Sequence, residues 1–354
     1  MLWVMFNIAL HEKARLDTPF LGVEKEATPP ESMACPGVLI PFITFSFHVW
    51  YNDAMKSICI ETLQIDPGDA VERIKDFIIS SCTRDGVVVP ISGGLDSSVV
   101  ATLCVAALGK AKVTGLQLPE KQGNPDAEYY ANMLAKHLDI TSVRIDISPM
   151  LKAFGTYSYI LSYFPTRRWK ERLVRRFMTS AEGESNYVRV LNGQGDTLIR
   201  KGLASFFTKQ RVRLVAAYSY AEKNNLQVVG CAHKSEELTG LCVKYGIDDA
   251  ADLMPIGHLY RTQIMQLAQT LGIPGEILER TPNPDIIPGI TDKYQDVLGV
   301  TAENVDLVLY ALENQLPESE IAEATGVAED GVARIVELYR VAKRNSEHAK
   351  KVED

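Results

Sequence analysis

The sequence predicts an α/β fold, a doubly wound parallel sheet flanked by helices. Three observations carry that expectation. Short continuous apolar runs recur, segments of helical periodicity lie between them, and a glycine-rich turn follows the first run. Continuous apolar runs are how strands buried on both faces read. Alternation with helices argues for right-handed parallel crossovers, and in such sheets ligands gather at the carboxyl ends of the strands.

Composition sets the outer bounds. The chain has 354 residues, 46% hydrophobic and 23% charged, with a formal net charge of −8. These are ordinary globular values, which excludes wholesale disorder and low-complexity architecture. The acidic balance argues against a general nucleic-acid binder, which is normally basic. Six cysteines (Cys35, Cys59, Cys82, Cys104, Cys231, Cys242) show no C-x-x-C pair and no metal-ligand spacing. That pattern reads as reduced thiols in a cytoplasmic protein.

Residues 1–54 differ from the remainder of the chain. Three basic residues against six acidic ones leave −3 there, and the other −5 is spread over 300 residues. No periodicity runs through residues 1–36, and Pro29-Pro30 interrupts them. The apolar, aromatic stretch between Gly37 and Tyr51 is shorter than the roughly 20 residues of a transmembrane helix. It begins too late, behind too many acids, for a signal peptide. We read residues 1–54 as an extension or a start-site overcall, with Met55 the functional start of the domain that spans residues 55–354. The competing reading is a membrane-touching or oligomerising arm.

From Met55 onward the elements come in order. Lys56 to Leu63 reads as strand or loop, and Asp66-Pro67-Gly68-Asp69 opens a helix with Val71, Ile74, Phe77 and Ile78 on one face. Gly86 to Ile91 is the first buried strand, and Ser97 to Leu108 a helix. Lys112 to Leu118 (strand), Ala127 to Leu138 (helix) and Ser142 to Ile147 (strand) continue the alternation. Phe206 to Asn225 reads as a long helix, and Leu226 to Gly230 as a further strand.

The turn after the first strand is Ser92-Gly93-Gly94-Leu95-Asp96-Ser97-Ser98. Its glycines allow close backbone approach, and successive N–H groups at a helix mouth make an anion nest. It lacks the Gly-Lys-Ser/Thr ending of a Walker A loop. Asp96 places a carboxylate in a phosphate-type turn, which makes sense with a cation between it and the phosphates.

Ser-Gly-Gly-x-Asp-Ser-Ser after a strand resembles the pyrophosphate loop of the ATP pyrophosphatases, an adenine nucleotide alpha hydrolase-like fold. Within that group, Val229 to Gly240, Lys244-Tyr245-Gly246 and Ala251 to Ile256 resemble the ammonia-dependent NAD synthetases. Leu259 to Gln263, Leu271 to Pro274, Pro284-Asp285 and Ser346-Glu347-His348 keep the same order. The resemblance covers roughly residues 56–350. It implies ATP-dependent amidation of deamido-NAD with ammonia through an acyl adenylate, giving NAD, AMP and pyrophosphate. It also implies Mg²⁺ held by Asp96 and Glu236. ATP would lie on Ile91, Ser92, Gly93, Gly94, Leu95, Asp96, Ser97, Ser98, Cys231, Arg261 and Asn283. Deamido-NAD would lie on Arg211, Lys244, Asp252 and His348.

The chain departs from the family at several points. Cys231 and Asn283 stand where hydroxyl residues are usual, Arg261 replaces a lysine, and Ala349 follows His348 in place of a lysine. A thiol is a poor hydrogen-bond donor, and arginine keeps the charge but not the geometry. Lys209 and Arg213, beside Arg211, read as ordinary surface charges of a helix. These departures keep open another ATP pyrophosphatase ligase, amidating or thiolating a different acceptor, tRNA included. A third class is a nucleotide-binding regulator without turnover.

Residues 157–204 are longer than a simple crossover needs and carry Arg167, Arg168, Lys170, Arg172, Arg175 and Arg176 with aromatics nearby. They read as a lid or substrate-facing loop, a solvated or dimer surface, or an RNA contact. Glu318 to Asn345 has a helix-Gly-helix rhythm, read as two packing helices rather than a DNA reader. The chain has no room for a glutaminase domain, so ammonia is expected free or from a separate glutaminase. Family resemblance adds a homodimer. No membrane or nucleic-acid partner is expected.

Overall fold

The computed structural model describes residues 57–158, 186–194, 197–280 and 292–346. The chain divides into residues 1–49 and 50–354, and the described residues all fall in the second unit. The 1–54 extension and most of the basic 157–204 insertion lie outside the described residues.

Helix α1 (Pro67–Ser81) begins where the sequence places it. The Asp66 carboxylate accepts from Asp69 N–H at 3.0 Å, satisfying a donor the helix cannot, and Pro67 sits where no N–H is needed. Ala70, Ile74 and Ile78 are its buried stripe. Strand β1 (Gly86–Pro90) follows, with Val87 and Val89 packed into one core and Val88 into another. That is the period-2 alternation of a strand buried on both faces. Helix α2 (Leu95–Leu108) is apolar nearly all round because it is enclosed between the sheet and α1.

Strand β2 (Val113–Gln117), helix α3 (Ala127–Leu138), strand β3 (Thr141–Arg144) and helix α4 (Ser148–Ala153) continue the alternation. Helix α5 (Asn186–Leu191), helix α6 (Thr197–Lys223) and strand β4 (Leu226–Val228) complete the sheet. Its order is β3-β2-β1-β4 and every pairing is parallel, with Val87 opposite Val113, Gly86 opposite Leu226 and Thr114 opposite Thr141.

Three elements differ from expectation. Ile60–Leu63, read as strand or loop, is a 3₁₀ turn, pinned by Ile58 N–H donating to Ala324 O at 2.7 Å. Strand β3 starts one residue earlier and ends at Arg144, being an edge strand that is mostly exposed. Helix α6 begins at Thr197, nine residues before the expected start. Its first turns mix Leu198, Ile199 and Leu203 with Arg200, Lys201 and Gly202, which interrupt the apolar pattern, and burial of Leu203 among the C-terminal helices anchors them.

Beyond β4 come α7 (Lys234–Thr239), α8 (Arg261–Thr270), α9 (Gly275–Leu278) and α10 (Lys293–Leu298). The C-terminal α11 (Ala302–Glu313), α12 (Glu318–Thr325) and α13 (Glu329–Ser346) form a separate core with Tyr294, Ile321, Ile335 and Leu338. This matches the expected helix-Gly-helix, with Gly326 in the left-handed region at φ +68°. Helix α13 packs against α7, so the C-terminal core supports one side of the cleft at the strand ends. Among the described residues no helix is long and apolar enough to cross a membrane.

Candidate active site

The turn between β1 and α2 owes its shape to Gly93. Its φ is +71°, and a Cβ there would lie 2.3 Å from Tyr130 Cβ and 2.8 Å from Ala131 N. Left-handed backbone and close approach both require glycine. Gly93→Ala is therefore expected to cost about 2–4 kcal/mol, strain and overpacking together, and to weaken ATP binding, as thermal denaturation and nucleotide titration would read. From behind, Arg280 donates to Gly93 O at 2.6 Å and lies over the Tyr130 ring at 4.4 Å. The hydroxyls of Ser97 and Ser98 bond within the turn. They donate to Gly94 O at 3.0 and 2.8 Å and so close the first turn of α2.

Asp96 projects from the start of α2, and Glu236 from α7 at the end of the neighbouring strand. With His233 they present ligand atoms all within 4.8 Å of one another. The sheet order makes this meeting possible, since β1 and β4 are adjacent and parallel. Arg261, at the start of α8 and 5% exposed, pairs with Asp96, and Lys293 pairs with Glu236. Burial alone would raise the Asp96 carboxyl, but Arg261, His233 and Lys293 together hold the group below its usual range. Burial pushes His233 down to about 4, so the imidazole is neutral near pH 7.

Asp306 of α11, fully buried, fixes this geometry. It accepts from Ser235 Oγ at 2.5 Å and from Thr262 N–H at 2.8 Å, while Ser235 Oγ accepts from Arg261 N–H at 2.9 Å. One carboxyl thereby ties the starts of α7 and α8 together. Burial raises it to about 6.

A cleft of about 750 Å³ opens at the carboxyl ends of the strands, within the usual range for small-molecule sites. Ile91, Ser92, Gly94, Asp96, Ser97, Cys231 and Glu236 line it. Cys231 is buried and its thiol is raised well above normal, chiefly by burial. It is therefore an inert wall residue and no nucleophile. Gly93, Leu95 and Ser98 shape the turn without lining the cleft, and Arg261 stands behind Asp96. Arg211, Lys244 and Asp252 do not line it either. Arg211 donates to Lys244 O at 3.2 and 3.3 Å. Asp252 accepts from Val228 N–H at 2.8 Å and Tyr218 OH at 3.2 Å, a role at the edge of β4. Asn283 and His348 lie outside the described residues.

The helix charges of α6 correct the sequence reading. Lys209 is buried and pairs with Glu120 at 2.6 Å, and Arg213 lines the cleft. Glu120 also accepts from Tyr157 OH and Gln122 N–H, each at 2.8 Å. It sits just past β2, a strand-end position that could have flagged it. Asp248 and Lys293 also line the cleft, and no spacing signal in the sequence marks them.

The sequence profile of the NAD synthase family matches residues 69–167 and 185–352. The chain belongs to that family. It is 38% identical over 260 residues to an NH₃-dependent NAD⁺ synthetase of Coprothermobacter proteolyticus, covering 69% of this chain and 85% of that one. The like-named protein of Methanocaldococcus jannaschii is 34% identical over 275 residues, 77% of this chain and 92% of that one. Two solved structures share the fold. An NH₃-dependent NAD synthetase from Campylobacter jejuni gives a TM-score of 0.57 at 23% identity, over 82% of this chain and all of that one. An NMN synthetase from Francisella tularensis gives 0.61 at 22% identity with the same coverage. The five described cysteines of this family member form no disulfide.

Proposed function

We propose that the protein is an ammonia-dependent NAD synthetase, converting deamido-NAD, ATP and ammonia to NAD, AMP and pyrophosphate. Beyond family membership, one observation carries this reading onto these residues. Asp96 and Glu236 converge from adjacent strand ends beside a glycine turn, at the mouth of a nucleotide-sized cleft.

A carboxylate is a poor electrophile toward ammonia, and transfer of AMP to its oxygen gives an acyl adenylate with a good leaving group. Bringing an anionic dinucleotide and a triphosphate together requires positive charge. The carboxylate pair suits a hard divalent cation such as Mg²⁺, with oxygen ligands on two sides of a small gap. When bound, that ion would supply charge neutralisation and orientation of the triphosphate. The chain's own residues do the rest. The glycine turn at the mouth of α2 would receive phosphate, and Arg261 pairs with Asp96 and holds it in place. Cys231 forms an unreactive wall, with Asn283 assigned to the same nucleotide.

Arg211, Lys244, Asp252 and His348 are assigned to deamido-NAD, on the family pattern. The adjacency of Arg211 and Lys244 supports a shared role for that pair. A homodimer, free ammonia or a separate glutaminase, and a cytoplasmic location complete the reading. Purified protein with deamido-NAD, ammonium and Mg²⁺-ATP is expected to release AMP and pyrophosphate in proportion to NAD. Release of ADP, or equal turnover with other nucleotide carboxylates or tRNA, would count against it.

A further inference from the structure

Lys293 is the cation of this site that neither the turn nor the helix ends explain. It opens α10, whose first turn is fixed by the Asp292 carboxylate accepting from Tyr294 N–H at 2.8 Å and Gln295 N–H at 3.0 Å. Its side chain is 11% exposed, lines the cleft and pairs with Glu236 Oε1. The other oxygen, Oε2, lies 3.6 Å from His233 Nε2. A buried ammonium is tolerated only against a counter-charge. Here that counter-charge is one of the three groups whose ligand atoms crowd within 4.8 Å.

An ammonium and a hard divalent cation held on the same carboxylate repel each other, so each weakens the hold of the other. The cations paired with Asp96 and Glu236 are also held differently. Arg261 begins a ten-residue helix whose start is tied through Ser235 to Asp306. Lys293 is a point charge on a flexible four-carbon stem, which suits exchange between partners. We propose that Lys293 is a resident counter-ion that holds Glu236 in the nucleotide-free protein and transfers to the triphosphate when Mg²⁺-ATP enters. The inference rests on the amidation site of the proposed function. It predicts opposite effects on metal and nucleotide when the ammonium is removed, a signature that a purely structural ion pair would not give.

The test uses the full chain and Mn²⁺ as a spectroscopic probe, titrated without nucleotide by electron paramagnetic resonance. Lys293→Met is expected to bind Mn²⁺ about tenfold more tightly, the scale on which neighbours of ligands tune affinity. Its KM for ATP should rise about tenfold, the loss of one charge-assisted hydrogen bond, with less change in kcat. Lys293→Gln should move both readings the same way, guarding against a packing defect. Lys293→Arg, which keeps the charge, should hold Mn²⁺ affinity near wild type. Unchanged or weaker Mn²⁺ binding in both neutral variants overturns the proposal. Glu236→Gln separates the two layers. If it binds Mn²⁺ as wild type does, the carboxylate metal site itself is wrong, and the counter-ion role falls with it.

Discussion

Glu236→Gln is expected to lower kcat/KM for the amidation by about a hundredfold to a thousandfold, the cost of removing one preorganised charge-stabilising group. Glutamine keeps the volume and an oxygen toward His233 N–H, which Glu236 Oε2 faces at 3.4 Å. Helix α7 should therefore form, and circular dichroism should show a folded protein. The loss is electrostatic. A neutral amide is a poor partner for a divalent cation, and it leaves the negative charge of Asp96 alone beside the triphosphate. Steady-state kinetics with varied Mg²⁺ would check it. A drop smaller than tenfold would remove Glu236 from the charge-carrying role.

The largest expected effect on stability comes from Lys209→Met. Glu120 has a fully buried side chain and Lys209 is 7% exposed, so the variant leaves a carboxylate without its counter-charge. Breaking a buried pair on one side costs about 3–5 kcal/mol, or a melting point lower by about 10 °C for a domain of this size. Lys209→Met with Glu120→Gln should regain much of the loss, because no orphan charge remains. The pH dependence has a definite sign. Burial opposes ionisation of Glu120, but Lys209, with the hydrogen bonds from Gln122 and Tyr157, holds the carboxyl below its ordinary value. Such a group stabilises the fold above the unfolded pKa, and its contribution fades as pH falls through the folded one. The deficit of the single variant should thus be full at neutral pH and shrink in acid. A constant deficit from pH 7 to pH 3 would contradict the assignment.

The candidate site is partly legible in the order of the residues, and the dividing line is physical. The turn from Ser92 to Ser98 announces itself because tight turns and helix mouths demand particular residue types at consecutive positions. Glu236 is found only through resemblance, since a lone acid on a short helix carries no signal of its own. Lys209 and Arg213 pass for surface charges. A basic residue on a helix looks the same in sequence whether its partner is water or a buried acid 89 positions away. The start of α6 is hidden because Arg200, Lys201 and Gly202 interrupt its apolar pattern, while packing of Leu203 holds it in place.

The sequence by itself determined the parallel α/β alternation, the glycine turn and the family, because each rests on local steric rules or on contiguous motifs. Tertiary structure decided which charges meet. Strand order placed Asp96 beside Glu236, Asp306 drew the starts of α7 and α8 together, and Lys293 arrived from beyond both to occupy the carboxylate. Those pairings join residues 44 to 140 positions apart. Electrostatic energy depends on distance in space and on exclusion of water, and neither is written in the order of the chain.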